Sequence, residues 1–387
     1  MMNLTRKEQL AKLQARYASR GRRGKSRMLD EICEQYGYDR KYAIKLLAGW
    51  KSFGVGAHRP GPPCRYEPIR EVAVRIWQQG EKMCGKRLVA ALPLWLPAYE
   101  EHFGRLLPTQ RMLLEEVSAA TLDRLLAPAR AKASRGRSGT KPGTLLREQI
   151  PIQGEAWNET EPGFLEADSV AHCGDSLSGE FLGSLVYTDL CSTWTAARAV
   201  WGKGSTAVLA QTREVEAALP FLLRGFDCDN GSEWLNWHLL RYFQERTAPV
   251  RVTRSRPYHK DDNAHVEQKN WMWPRQLLGY GRLDRPEVVP LVNALYKEAW
   301  EPLHNFFLPS MKLREKWREG SRWVRRHDPA QTACQRLLNH PHVSAKTKRT
   351  LREQAQALDP FTLARDVEQR LVAILRPQPA AHQRRVS

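Results

Sequence analysis

Two kinds of hydrophobic pattern divide this chain. Up to about residue 130, and again beyond 290, apolar side chains recur at helical spacing. Between them, from about 164 to 253, they gather in short runs bounded by turn residues, which is the pattern of strands. Residues 4–19 predict a first helix with Arg6, Lys7, Lys12 and Arg16 on its polar face, and a basic, glycine-containing link follows from Arg20 to Arg27. Arg27 to Tyr36 and Asp39 to Leu47 then predict two short amphipathic helices about a turn at Gly37, with Asp39 as N-cap of the second. This is the pattern of a helix-turn-helix, in which Arg40, Lys41 and Lys45 would face DNA. An ordinary helical hairpin with a solvated face has the same pattern. A second candidate lies in a helical block over 67–130, where Ser118 caps a new helix carrying Arg124.

Gly- and Pro-rich residues 54–66 and basic residues 131–150 read as linkers. After them, Phe164 to Val170, Glu180 to Leu190 and Thr193 to Trp201 predict three strands in an antiparallel meander. Ser205 to Leu219 predicts a helix, Leu222 to Cys228 a strand, Ser232 to Glu245 a helix, Pro249 to Thr253 a strand and Asn263 to Leu278 a helix. That order predicts an α/β, ribonuclease-H-like core with a mixed five-stranded sheet. The expected organisation is a helix-turn-helix domain at 1–53, a linker at 54–66, a second helical domain at 67–130, a basic linker at 131–150, the core at 151–289 and a basic helical region at 290–387.

Charge follows these divisions. The chain has 387 residues and a formal net charge of +19. Residues 1–150 carry +15, 151–290 carry −5 and 291–387 carry +9. Basic flanks suit a polyanionic partner, and an acidic middle suits divalent cations. The seven cysteines are scattered without a CxxC pair, which argues against a disulfide framework or a Cys-rich zinc site and for a reducing compartment. No apolar run reaches the length of a membrane span and no signal-peptide pattern opens the chain, so a cytoplasmic protein, nucleoid-associated if bacterial, with no membrane partner is expected.

Three acids occupy places where chemistry is plausible. Asp168 lies in the first strand among Phe164, Leu165 and Ala167, where an unpaired carboxylate is costly. Asp229 ends the fourth strand at Asp229-Asn230-Gly231, and Glu267 lies in a helix after a polar loop. Phosphoryl transfer on DNA needs such a set, because two divalent ions about 3.5–4 Å apart can activate the attacking oxygen and stabilise the leaving one. By residue type alone each acid also has an ordinary reading: an edge-strand acid, a common turn sequence and a solvated helix residue.

The surrounding words narrow the choice. Gly163 to Asp168 resembles the first-aspartate strand of DDE transposases and retroviral-type integrases. Gly225 to Asn236 resembles their second-aspartate motif, and Thr253 to Asn270 their catalytic-glutamate motif. The acids are separated by 60 and then 37 residues, close to the family's spacing. The likeness spans roughly 150–320 and includes Asn305 to Ser310 and Lys312-Leu313.

This resemblance implies Asp168, Asp229 and Glu267 as catalytic metal ligands for Mg²⁺, with two ions expected and Mn²⁺ as a substitute. It implies 3′-end cleavage and strand transfer on double-stranded DNA, at terminal inverted repeats and a target, by a homo-oligomer. Arg254, Arg256, Lys260, Lys269 and Arg275 are candidate phosphate contacts. Asp227, two residues before Asp229, ranks second for its role; Asp261 and Asp262 read as loop acids, and Glu233 as support for the helix start. His172 and Cys173 read as structural. Trp194, Trp201, Trp234, Trp237, Trp271 and Trp273 read mostly as core, with Trp271 and Trp273 also candidates for touching DNA bases. Two departures from the family stand out: no N-terminal His/Cys zinc module is present, and Pro274 falls seven residues after Glu267, where proline kinks a helix. The alternatives are a catalytically silent, sequence-specific DNA-binding protein derived from a transposase, and a nuclease acting on RNA–DNA hybrids.

Overall fold

A computed structural model describes residues 6–49, 64–133, 159–202, 204–228, 233–234, 236–254, 274–319 and 322–376. The chain divides into two units, Met1–Cys64 and Arg65–Ser387.

The first unit is three helices, α1 (Arg6–Ala18), α2 (Arg22–Tyr36) and α3 (Arg40–Leu47). Met28, Leu29 and Ile32 of α2 close on Ala43 and Leu47 of α3. Gly37, at φ +66°, turns the chain between them, and its N–H donates to the Cys33 carbonyl; a side chain there would be strained. Asp39 caps α3 as expected, accepting from the Lys41 and Tyr42 amides at 2.9 and 3.3 Å. The link expected from Arg20 to Arg27 is helical from Arg22. Arg and Lys are good helix formers, and their propensity outweighs the cost of about 1 kcal/mol for one interior glycine, Gly24.

The second unit opens with α4 (Arg70–Gln79), α5 (Gly85–Phe103), α6 (Pro108–Glu116), α7 (Ala119–Leu125) and α8 (Ala127–Ala133). Ser118 caps α7, accepting from the Thr121 amide at 3.2 Å. The sheet follows: β1 (Phe164–Ala171), β2 (Leu182–Asp189), β3 (Thr195–Trp201), β4 (Gly225–Cys228) and β5 (Arg251–Arg254). Between its strands lie α9 (Ser205–Ala218) and α10 (Trp237–Gln244). The order across the sheet is β3-β2-β1-β4-β5. β1, β2 and β3 pair antiparallel, whereas β4 runs parallel to β1 and β5 parallel to β4. The mixed five-stranded sheet with flanking helices is therefore present. β1 runs one residue past its expected end, whereas β2 to β5 are shorter than the pattern suggested; β4 starts at Gly225 rather than Leu222, which is 85% exposed.

One sheet face buries Leu165, Ala167, Leu185, Tyr187, Phe226 and Cys228 against α9 and α10. The other brings Leu182, Val186, Ala197 and Ala199 onto α11 (Val288–Ala294) and the π-helical turns Leu295–Trp300 and Leu303–Phe307 that continue it. That core runs on through Ile76 and Trp95 of the N-terminal helices to Leu351 of α13 (Ala345–Ala357) and Phe361 of α14 (Pro360–Leu375), and α12 (Ala333–Asn339) adds Leu337. Trp95 fixes the junction: its Nε1 donates to the Phe307 carbonyl at 2.9 Å and its ring meets Phe361 edge-on at 5.1 Å. Apolar packing thus crosses the boundaries expected near 130 and 289.

The region from 290 is not wholly helical. β6 (Leu313–Glu319) and β7 (Arg322–His327) form an antiparallel hairpin. Its strands are too charged to show an apolar alternation, which is why the sequence pattern did not reveal them. Among the described residues no helix is long and apolar enough to cross a membrane.

Side chains finish the exposed edge of the sheet. The amide groups of Asn305 and Asn293 clasp β3 by both N–H and C=O, Asn305 at Thr195 (3.0 and 2.8 Å) and Asn293 at Ala199 (2.8 and 3.0 Å). Glu301 accepts the Ala197 amide between them at 2.8 Å and pairs with buried Arg198 at 2.6 Å. Burial pushes the Glu301 carboxyl up to about 7 against the pull of Arg198. Backbone groups of an edge strand are thereby satisfied within the chain.

A polar thread crosses the same layer. His172 bonds to the Ser184 hydroxyl at 2.9 Å, and Ser184 to the Tyr296 hydroxyl at 2.7 Å. Burial pushes the imidazole down to about 4 from 6.5, so it is neutral in the fold. A depressed histidine contributes stability that is present above its unfolded pKa and is lost as pH falls through the folded one. His172→Gln, which cannot titrate, is expected to melt below the parent at pH 7.5, with the gap narrowing as pH falls from 6.5 to 4. Comparing variant with parent cancels the opposite slope from Glu301, and a gap of constant size would contradict the assignment. A second expectation concerns Gly163, at φ +120°, where an added Cβ would lie 2.3 Å from the Leu222 carbonyl oxygen. Gly163→Ala is expected to lower unfolding stability by about 2–4 kcal/mol, from left-handed strain and backbone overlap together, in a urea titration followed by circular dichroism.

Candidate active site

Strand alternation sorts the acids of β1. Leu165 and Ala167 enter the core beneath α9 and α10, so Glu166 and Asp168 project from the opposite face. Parallel pairing sets Glu166 opposite Asp227 of β4, and Asp227 opposite Thr253 of β5. Paired residues project to one side, so Glu166, Asp227 and Thr253 form a polar row across the centre of the sheet, and Asp168 stands one step further along β1. Depth then separates these groups. Glu166 and Asp227 are each 2% exposed, whereas Asp168 is half-buried. The Thr253 hydroxyl donates to Asp227 Oδ1 at 2.5 Å. A buried carboxylate held by a strand hydroxyl is part of the sheet, and Asp227 is in that position.

Asp168 is held by its own strand. Its Oδ1 accepts the Ser169 amide at 2.6 Å. Across the strand the Ser169 hydroxyl donates to Glu233 Oε1 at 2.7 Å. Glu233 is 4% exposed, so the segment after β4 is anchored to the residue next to Asp168. Glu233 thus supports β1 through its side chain, and its carbonyl accepts from the Asn236 side-chain amide at 2.8 Å, next to the helix start. The helix begins later, at Trp237, where Asn236 caps it by accepting the Leu239 amide at 2.9 Å.

The lead-in to β1 is equally constrained. The Gly163 carbonyl accepts the Arg224 and Gly225 amides at 2.7 and 3.1 Å, and its N–H donates to Asp189 Oδ1 at 2.7 Å. Asp189 also takes the Ser192 amide and hydroxyl, each at 2.6 Å, and burial pushes its carboxyl up. β1, β2 and β4 thus share one junction just before the acidic row.

Asp229, Glu267, Asp261 and Asp262 lie outside the described residues, as do Arg256, Lys260, Lys269, Trp271 and Trp273. Among the described residues no group of three or more His, Cys, Asp or Glu side chains is placed to hold a metal ion. The donors on this face are carboxylate and hydroxyl oxygens, the hard set that Mg²⁺ takes. Pro274 is buried and is the first described residue of a helical stretch that runs on to Leu278; the segment joining it to Glu267 is outside the described residues.

The basic candidates separate by environment. Arg40 forms an ion pair with Asp30 and donates to the Ser26 hydroxyl at 2.9 Å, so it braces α3 against α2. Lys41 and Lys45 are exposed on α3. Arg124 is exposed and donates to the Thr121 hydroxyl at 3.2 Å. Arg254 ends β5, and Arg275 is half-buried with its guanidinium 5.4 Å from the centre of the Tyr280 ring. Glu166 and Thr253 were missed by motif reading. The signal for Glu166 was its place two residues before Asp168 in a strand.

No family model matches the chain. Two retroviral structures overlap part of it. One is the simian T-cell lymphotropic virus intasome in complex with PP2A regulatory subunit B56 gamma, 16% identical at a TM-score of 0.29 over 47% of this chain and 59% of that one. The other is the catalytic core domain of BIV integrase, 13% identical at a TM-score of 0.22 over 30% of this chain and 66% of that one. In each case the chain spans less than two thirds of the neighbour. A curated relative is far nearer: the uncharacterized protein y4rM of Sinorhizobium fredii (strain NBRC 101917 / NGR234) is 40% identical over 337 residues, covering 84% of this chain and 93% of that protein. At that identity and coverage, the chain belongs to the family of the Sinorhizobium y4rM protein.

Proposed function

We infer that the chain is a metal-dependent DNA strand transferase of the DDE-transposase and retroviral-integrase type. The observation that carries this reading is the position of Asp168. It is the more accessible acid on the central strand of a sheet ordered β3-β2-β1-β4-β5, and its neighbour Ala167 pairs with Cys228, the residue that precedes Asp229 in the chain. Motif context supports Asp229 and Glu267 as its partners, and the strand order supports a ribonuclease-H-like core.

In this reading Asp168, Asp229 and Glu267 would hold Mg²⁺. The bound metal would lower the pKa of an attacking hydroxyl and offset charge on the leaving oxygen. The chain's own part is positional. Buried Asp227 and half-buried Thr253 tie β4 to β5 beside the site, with buried Glu166 next to them on β1. The Ser169–Glu233 contact fixes the chain beside Asp168. Helices α2 and α3 would act as a helix-turn-helix, with Lys41 and Lys45 on the side toward DNA. Two DNA ends and one site per chain imply at least a dimer.

The test is cleavage and strand transfer on duplexes carrying the ends of the element that encodes the chain, with Mg²⁺ or Mn²⁺. Asp168→Asn, Asp229→Asn and Glu267→Gln are each expected to lose about 100-fold or more in rate while keeping DNA affinity and the parent's circular dichroism. Full activity in any one would overturn the triad. Binding by the parent with no metal-dependent cleavage would favour a silent, sequence-specific DNA-binding protein.

A further inference from the structure

The β6–β7 hairpin buries little, yet six Arg and Lys against two Glu crowd into residues 313–327. Every residue of β6 whose side chain is described is exposed, and Trp317 and Trp323 are 40% and 42% exposed. A two-stranded hairpin is at best marginal on its own. A purely structural hairpin would place Trp and Val against a core, whereas this one presents two large aromatic rings to solvent.

Register sorts its charges by face. Glu315 is opposite Arg326, Trp317 opposite Val324 and Arg318 opposite Trp323, with the Lys316 and Arg325 backbones paired between them. Glu315, Trp317, Glu319, Val324 and Arg326 therefore share one face. The acids there are engaged: Glu315 lies 3.8 Å from Arg326, and Glu319 accepts from the Trp317 indole at 2.9 Å. The opposite face carries Arg318, Trp323 and Arg325 and no carboxylate of either strand. All three of these side chains are exposed.

We propose that this carboxylate-free face of the β6–β7 ribbon is a contact surface for the phosphate backbone of duplex DNA. A two-stranded ribbon fits the major groove, which is about 12 Å wide. Arginine forks match phosphate oxygens in pairs, and an exposed indole between two guanidinium groups supplies apolar contact with sugar and base edges. The surface lies outside every segment that carries the integrase-like motifs of the three acids. It rests on the reading that the chain acts on DNA, and it is tested separately from catalysis.

The experiment is fluorescence anisotropy of the full chain on a labelled duplex across a salt series, without divalent metal. Arg318→Ala/Arg325→Ala is expected to weaken binding about 10-fold or more and to reduce the slope of log affinity against log salt by about 2, near one per lost phosphate contact. Trp323→Ala is expected to weaken binding with the slope unchanged. Arg326→Ala, on the other face, is expected to leave both unchanged. Parental affinity and slope in the double variant would overturn the ribbon surface while leaving strand transfer intact. An equal loss in Arg326→Ala would overturn the face assignment. A parent chain that does not bind duplex DNA would overturn both this surface and the functional reading on which it rests.

Discussion

The parallel pairing of β1 with β4 is the constraint on which the rest of this structure depends. β1 is where the sheet changes from antiparallel to parallel, so its two edges face different neighbours. Gly163 starts that pairing. Its carbonyl accepts the Arg224 and Gly225 amides at the entry to β4, and its N–H donates to Asp189 at the end of β2. The register that follows brings two buried acids, Glu166 and Asp227, to adjacent positions on one face. Such a pairing is unfavourable without compensation, and the Thr253 hydroxyl is part of what offsets it. With those two acids committed to the sheet, Asp168 is left as the acid of β1 within reach of a ligand.

The helical blocks take their meaning from the same sheet. The β2 and β3 side of the acidic face is covered by the rod from Val288 to Phe307, and that rod is clasped by Trp95 from α5 and Phe361 from α14. Helices far apart in sequence thereby share one core with the five-stranded sheet. Asn293, Glu301 and Asn305 use the rod to close the β3 edge, which leaves the unpaired edge of that strand hydrogen-bonded within the chain. The Asn305 to Ser310 run thus has a physical role: its first residue is an edge clasp.

Much of this was legible in the sequence. Period-2 and period-3.6 patterns located all five sheet strands and the helices between them, and the capping roles of Asp39 and Ser118 followed from residue type. Strand ends were less legible, because Leu222 reads as apolar but is exposed. The β6–β7 hairpin was hidden, since its residues are charged and a helical reading absorbs them equally well. The linker expected at 54–66 contains the division between the two units, whereas the core shared across positions 130 and 289 was hidden, because linker composition says where the chain is polar and not where cores merge. At the site, the motif singled out Asp168 among the strand acids. It gave no hint that Glu166 would be a buried neighbour of Asp227, since that fact lives in the register between two strands 60 residues apart.

The proposed chemistry requires Asp168, Asp229 and Glu267 to converge on a divalent metal. Iron-directed backbone cleavage reads this without any assay of DNA chemistry. Fe²⁺ is loaded in place of Mg²⁺, ascorbate and peroxide are added, and the cut sites are mapped by mass spectrometry. Cuts are expected to group at the three segments around 168, 229 and 267, to be suppressed by excess Mg²⁺ and to be absent in Asp168→Asn. Cuts confined to one segment, or a pattern unchanged by Asp168→Asn, would contradict it.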